Sequence, residues 1–298
     1  MRALVTGGTG FVGPHLIAHL VDAGDDVLEP GDENGDFDIE NGAAIDAAFV
    51  KLRPEVVYHL AARSSVAASW KDPISFLRTN VEGTQHVLDA ARAHSVQRVL
   101  VVGSSEEYGR VEDGSRPVHE DTPLRPNNPY GVSKVAASYL ALQAWLGTGL
   151  ETIRVRTFTH TGPGQSDAFF VPAFARRVVE ADRNGHDAIR TGALDPVRDL
   201  LDVRDVVRAY RLLVERGDPG EVYNVCSGVG VAIGDVAHAL VARASRPLAI
   251  EPDPELMRPT EVPVLTGDPS KLKAATGWSP EFTLDATLDA VYAEASQF

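Results

Sequence analysis

A chain of 298 residues with 44% hydrophobic and 23% charged content has the make-up of a soluble globular protein, as one large domain or two unequal ones. Its net charge of −14 excludes a nucleic-acid surface, which would need clustered Lys and Arg, but a few arginines gathered in one pocket would suffice for a nucleotide ligand. No apolar run reaches a membrane span, the first residues lack a signal-peptide pattern, and Cys226 has no partner for an internal disulfide. The expected setting is therefore cytoplasmic and reducing, away from membranes.

In chain order, Arg2–Thr6 reads as a short apolar strand, and Phe11–Ala23 carries Phe11, Val12, Leu16, Ile17 and Leu20 at helical spacing. Asp26–Glu29 is a second strand, Ile45–Leu52 a helix and Glu55–Leu60 a buried strand. Pro73–His94 reads as one long helix opened by proline, and Arg98–Gly103 as a strongly apolar strand. The stretch 110–129, rich in Pro, Asp and Asn, is a loop placed over the site. Tyr130–Leu146 is a helix and Glu151–Arg156 a strand. Past Thr157 the rhythm weakens, with helices expected at 168–183, 203–216 and 233–244. Strands alternating with helices predict an α/β fold with a doubly wound parallel sheet, followed by a smaller mixed α/β unit. The division expected is 1–157 with parts of 190–230 for one domain, and 158–298, discontinuous, for the other.

Two features carry chemistry. Tyr130 and Lys134 lie four apart in a predicted helix, so they share a face; an ammonium beside a phenol would lower the tyrosine's pKa towards neutrality and suit it to proton transfer. Gly7-Gly8-Thr9-Gly10-Phe11-Val12-Gly13 lies between a strand and a helix, where glycines let a pyrophosphate approach backbone N–H groups at the helix N-terminus. This context predicts dinucleotide binding of the Rossmann type. Glu29 ends the second strand where an acidic residue would bond the adenosine ribose, and residues 29–50 contain no Lys or Arg. NAD(H) is therefore preferred, with NADP(H) as the alternative. His15 and His19, at i,i+4 spacing, lack an acidic partner in a zinc pattern and read as a helix-surface pair, so no metal is expected. His59 and Cys226 sit in apolar strands and read as core.

Thr6–Gly13 (TGGTGFVG), His59–Ala62 (HLAA), Asn80–Thr84 (NVEGT), Gly103–Gly109 (GSSEEYG) and Pro129–Lys134 (PYGVSK) together resemble an extended short-chain dehydrogenase/reductase of the NAD-dependent epimerase/dehydratase family. Arg156–Gln165 (RTFTHTGPGQ), Val197–Asp205 (VRDLLDVRD), Val222–Gly228 (VYNVCSG) and Arg258–Pro263 (RPTEVP) are similar to enzymes of GDP-sugars: the GDP-4-dehydro-6-deoxy-D-mannose reductases first, the GDP-mannose 4,6-dehydratases next.

The resemblance implies Tyr130 as acid/base, Lys134 as its partner and a ligand of the nicotinamide ribose, and Ser104 as the hydroxyl binding the reacting sugar oxygen. It implies a cofactor site that includes Gly7, Gly10, Phe11, Val12, Leu60, Ala61, Ala62 and His160, with Asp38 and Ile39 at the adenine. The nucleotide sugar, GDP-linked by this likeness, would meet Ser105, Glu106, Thr159, Arg198, Arg258 and Glu261, the arginines facing the diphosphate. Thr159 stands where the family usually has Asn, a departure that changes the groups offered to the sugar.

The expected reaction is reduction of a 4-keto-6-deoxyhexose. Glu106, a carboxylate close to Ser104, keeps 4,6-dehydration open, 4-epimerisation is a further alternative, and a dinucleotide-sensing scaffold is the non-enzymatic one. The Tyr130–Leu146 helix, apolar almost all round, would bury one face on the sheet and another against a second copy in a homodimer.

Overall fold

The computed structural model describes residues 1–28, 37–111, 114, 116–256 and 262–297. Strands β1 (Arg2–Thr6), β2 (Asp26–Leu28), β3 (Val56–His59), β4 (Arg98–Ser104) and β5 (Glu151–Thr157) form in the first half. Between them run α1 (Val12–Asp22), α2 (Gly42–Leu52), α3 (Val66–Lys71), α4 (Pro73–Leu77), α5 (Gly83–Ala93) and α6 (Pro129–Thr148). The second half adds β6 (Thr159–Thr161), α7 (Phe170–Asn184), β7 (Ala188–Thr191), β8 (Val197–Asp202), α8 (Val203–Arg216) and β9 (Val222–Val225). It ends with β10 (Gly230–Ala232), α9 (Ile233–Val241), β11 (Ala249–Pro252), β12 (Val264–Leu265), α10 (Ser270–Thr276) and α11 (Leu284–Ala295).

The main sheet has six parallel strands in the order β2-β1-β3-β4-β5-β9, the Rossmann-type arrangement expected. Side chains alternate across it, as a strand's period of two requires. Ala3, Val5, Tyr58, Leu100 and Ile153 pack with Leu16 and Leu20 of α1 and Val206, Tyr210 and Leu213 of α8. Leu4, Val57, Val99 and Val101 face Ile45, Phe49, Val87, Ala141 and Ala144 on the other side. A second, mixed sheet gathers β6, β10 and β12 around β8, and β7 pairs with β11. Helices α7, α9 and α11 close over these strands around Phe174, Val178, Leu240, Leu288 and Val291.

Pro73–His94 is not one α-helix: a π-turn at Arg78–Glu82 separates α4 from α5. The second half also holds strands of two to six residues, too short to carry much periodicity, and two helices, α10 and α11, beyond the three expected there. Among the described residues, no helix is long and apolar enough to cross a membrane.

Candidate active site

The strand order reverses direction beside β1, so the C-terminal ends of β1 and β3 open a crevice. Gly7 occupies it with φ +74°, and a Cβ there would stand 2.7 Å from the Ala61 backbone nitrogen. The Leu60–Ala62 segment thus closes directly against the glycine turn. A Cβ on Gly13 would lie 2.2 Å from the Gly8 carbonyl oxygen, so glycine lets α1 start hard against the turn. This cradle fits a dinucleotide pyrophosphate: backbone is exposed at a helix N-terminus with no side chain in the way.

Phe11 stacks on His160, with ring centroids 5.8 Å apart and planes 9° from parallel, which ties the glycine loop to β6. The His160 Nδ1 bonds the Phe158 carbonyl, and burial holds the imidazole below its usual pKa. His15 is not a free surface residue, since its Nε2 donates to the Pro163 carbonyl at 2.9 Å. Asp38 is exposed, whereas the Ile39 side chain is buried against Gly83, leaving only its backbone to meet an adenine. Glu29, Arg258 and Glu261 lie outside the described residues.

Ser104 ends β4, and Tyr130 and Lys134 lie in the first turns of α6. Asn128 caps that helix, accepting from the Gly131 N–H at 2.8 Å, and Pro129 fills its first position. Glycine at 131 allows close approach, because a Cβ there would sit 2.6 Å from the Glu106 carbonyl oxygen. The Tyr130 hydroxyl thereby reaches the Ser104 side chain. All three residues are buried.

The expected low tyrosine pKa is not found. Burial dominates and pushes the Tyr130 phenol well above its usual value, with the Ser104 hydrogen bond opposing. The Lys134 Nζ donates to the Val102 carbonyl at 2.8 Å, and burial lowers its pKa to about 8 against the pull of Glu107. Glu106 is half-buried, its Oε2 accepting from Asn128 Nδ2 at 2.7 Å. Ser105 is buried and Thr159 exposed, whereas Arg198 is half-buried and donates to the Val197 and Val262 carbonyls.

A chain of polar residues that sequence reasoning missed lies beneath this group. His59 bonds Thr6 through Nδ1 at 2.8 Å and Thr84 through Nε2 at 3.0 Å. Thr84 donates to the Asn80 carbonyl, so its oxygen must accept from His59 Nε2–H, which leaves Nδ1 to accept from Thr6. The π-turn presents the Asn80 amide, which donates to Ser133, and Ser133 donates to the Tyr130 carbonyl at 2.7 Å. Asn80 also brackets Arg63, accepting from its N–H and donating to its carbonyl. Buried and close to Lys134, the imidazole has its pKa lowered to about 3 and is neutral. Asn80 and Thr84 sit in a quoted motif, but only the fold shows that they connect β1 to α6.

Of known proteins, GDP-6-deoxy-D-mannose reductase of Pseudomonas aeruginosa is 36% identical, the match covering 98% of this chain and 96% of that protein. The structure of the RMD protein from Pseudomonas aeruginosa complexed with NADPH superposes with a TM-score of 0.92 at 35% identity, covering 99% of both chains. Thermus thermophilus UDP-glucose 4-epimerase complexed with NAD superposes at 0.85, with 29% identity and 99% of both chains covered. The family model described as GDP-mannose 4,6 dehydratase matches residues 33–291. The chain therefore belongs to the GDP-mannose 4,6-dehydratase family, within the extended short-chain dehydrogenases/reductases of the epimerase/dehydratase type.

Proposed function

We propose that this protein reduces the 4-keto group of a nucleotide-linked, GDP-bearing 4-keto-6-deoxyhexose. The observation that carries this reading is the buried Tyr130 hydroxyl on Ser104: its phenol stays protonated through neutrality, the state from which a proton donor must start. The likeness to a GDP-6-deoxy-D-mannose reductase over nearly the whole chain supports the same direction.

Gly7, Gly10, Phe11, Val12 and Leu60–Ala62 would hold a nicotinamide dinucleotide, whose chemistry would be to supply the hydride. Ser104 holds the C4 oxygen, Tyr130 gives its proton to that oxygen as negative charge develops, and Lys134 stabilises the phenolate left behind. The glycine-loop residues and His160 orient the dinucleotide, and Arg198, Arg258 and Glu261 hold the nucleotide end of the sugar. Residues 1–157 with parts of 190–230, among them α8 and β9, form the cofactor unit in this reading, and the remainder of 158–298 the sugar unit.

Residues 29–50 lack Lys and Arg, which favours NAD(H), whereas the Pseudomonas aeruginosa relative was solved with NADPH; kcat/KM with each cofactor decides between them. The Glu106 carboxylate, two residues from Ser104, favours 4,6-dehydration as the second reading, since that reaction needs a base for the C5 proton. A homodimer follows from α6 and its neighbours: Leu146 is 74%, Trp70 63% and Tyr139 55% exposed, an apolar surface suited to a second copy.

Tyr130→Phe tests the mechanism. Turnover should fall at least a thousandfold with cofactor affinity almost unchanged (about 4 kcal/mol in the barrier). Unimpaired turnover would sink it.

A further inference from the structure

Glu107 is fully buried, one residue beyond Glu106 in the 3-10 turn that follows β4. Its Oε1 accepts from the Ser104 backbone N–H at 2.9 Å, and its Oε2 from Arg156 Nε at 3.1 Å. The sequence makes room for it. A Cβ on Gly103 would lie 2.1 Å from Glu107 Oε1 and 2.5 Å from the Val155 carbonyl oxygen, so only glycine leaves the carboxylate its place.

Arg156 is held as firmly. It lies over the Tyr108 ring at 4.9 Å, and its Nη1 donates to the Tyr108 hydroxyl at 3.1 Å and the Glu120 carbonyl at 2.8 Å. Tyr108 donates on to Asn224, whose N–H donates to the Glu120 carboxylate. A buried ion pair is costly unless its remaining groups are satisfied, and these are. The pair is thus rigid, and it sits directly beneath the serine that meets Tyr130.

We propose that Glu107 is a positioning residue for Ser104, Tyr130 and Lys134, fixing the serine's backbone from below and supplying the counter-charge that keeps Lys134 an ammonium ion. The proposal rests on reading those three residues as the proton-transfer machinery. The groups around it are Arg156 from β5, Tyr108 and Glu106 from its own turn, Glu120 through Arg156 and Asn224, and Tyr130 and Lys134 from α6. His59 on β3, neutral, also lies close to Lys134. Burial lowers the pKa of a lysine in this position, and the Glu107 charge opposes that shift. Removing it lowers the pH at which Lys134 and Tyr130 deprotonate, so both effects move the alkaline limb of a reductase the same way, downward.

The chain has only five lysines, Lys51, Lys71, Lys134, Lys271 and Lys273, so NMR of protein carrying 13Cε-lysine reads Lys134 directly, with Lys134→Arg giving the assignment. Wild type should titrate near the value of about 8, and Glu107→Gln about one pH unit lower. Glutamine keeps an acceptor for the Ser104 N–H, so its kcat on the acid side should stay within about threefold of wild type. Glu107→Ala loses the acceptor too, and its kcat should fall roughly tenfold to a hundredfold at every pH. Glu107→Gln/Arg156→Met buries no unpaired charge and should show the same downward shift, covering failure of the single variant to fold. A Lys134 titration in folded Glu107→Gln that coincides with wild type overturns the proposal, as does failure of both variants to fold, which would make the pair purely structural. Wild type inactive on the 4-keto sugar would count against the proposed reaction, while the titration would still judge Glu107.

Discussion

Asn128 holds Glu106 with one atom of its side chain and caps the helix of Tyr130 with another. Nδ2 donates to Glu106 Oε2 at 2.7 Å while Oδ1 accepts from Gly131 N–H at 2.8 Å, so the ambiguous carboxylate and the proton donor share one anchor. Asn128→Ala should cost about 1 kcal/mol of stability by loss of the cap. Asn128→Asp keeps an acceptor for the cap but sets a second negative charge against Glu106. Its stability at pH 7 should therefore fall below wild type and recover as acid protonates the carboxylates, a crossover that urea titrations at the two pH values will show.

His59 makes stability depend on acid. Its pKa is about 3 in the folded protein against 6.5 in an unfolded chain, so the unfolded state takes up the extra proton as pH drops. The stabilisation is complete above about 6.5 and is lost progressively as pH falls towards about 3. His59→Phe removes this titration along with the bonds to Thr6 and Thr84, each worth about 1 kcal/mol. Its melting temperature should fall below wild type at neutrality, and the gap should narrow in acid. A gap that is constant with pH would contradict the neutral buried imidazole.

The Phe11–His160 stack is expected to steady the cofactor loop. Phe11→Ala and His160→Ala should each raise the Kd for the dinucleotide roughly fivefold to tenfold, about 1 kcal/mol. The double variant should add little to either single one, because both remove the same contact. Fluorescence titration of the reduced cofactor measures all three.

Charges placed on the open face of α6 test the dimer. Leu146→Glu and Tyr139→Glu alter residues that are 74% and 55% exposed, so the subunit should fold normally and sediment as a monomer where wild type sediments as a dimer. Wild type sedimenting as a monomer at micromolar concentration would remove the proposal.

Much of the first half was legible because its signals are local. Gly7–Gly13 between strand and helix, the apolar run Arg98–Gly103, and the long apolar helix Tyr130–Leu146 each announce themselves within a few residues. What escaped depends on distance. His59 reads as core until Thr6 and Thr84 are seen on either side of it, and nothing near Glu107 in the sequence points to Arg156, 49 residues on. The tyrosine's raised pKa lies beyond local reading for the same reason: four-residue spacing brings Lys134 to the face of Tyr130 but says nothing of burial, nor of the Val102 carbonyl that receives its ammonium. Short strands such as β6 and β12 take shape only by pairing with β8.

The most direct measurement mixes purified protein with GDP-4-dehydro-6-deoxy-D-mannose and, separately, with GDP-mannose, each with and without NADH or NADPH, and identifies the sugar formed. Reduction predicts one equivalent of reduced cofactor oxidised per 4-keto sugar consumed, a 6-deoxyhexose product, and no change in GDP-mannose. Conversion of GDP-mannose to its 4-keto-6-deoxy derivative without added reductant would contradict the account and give Glu106 the role of base.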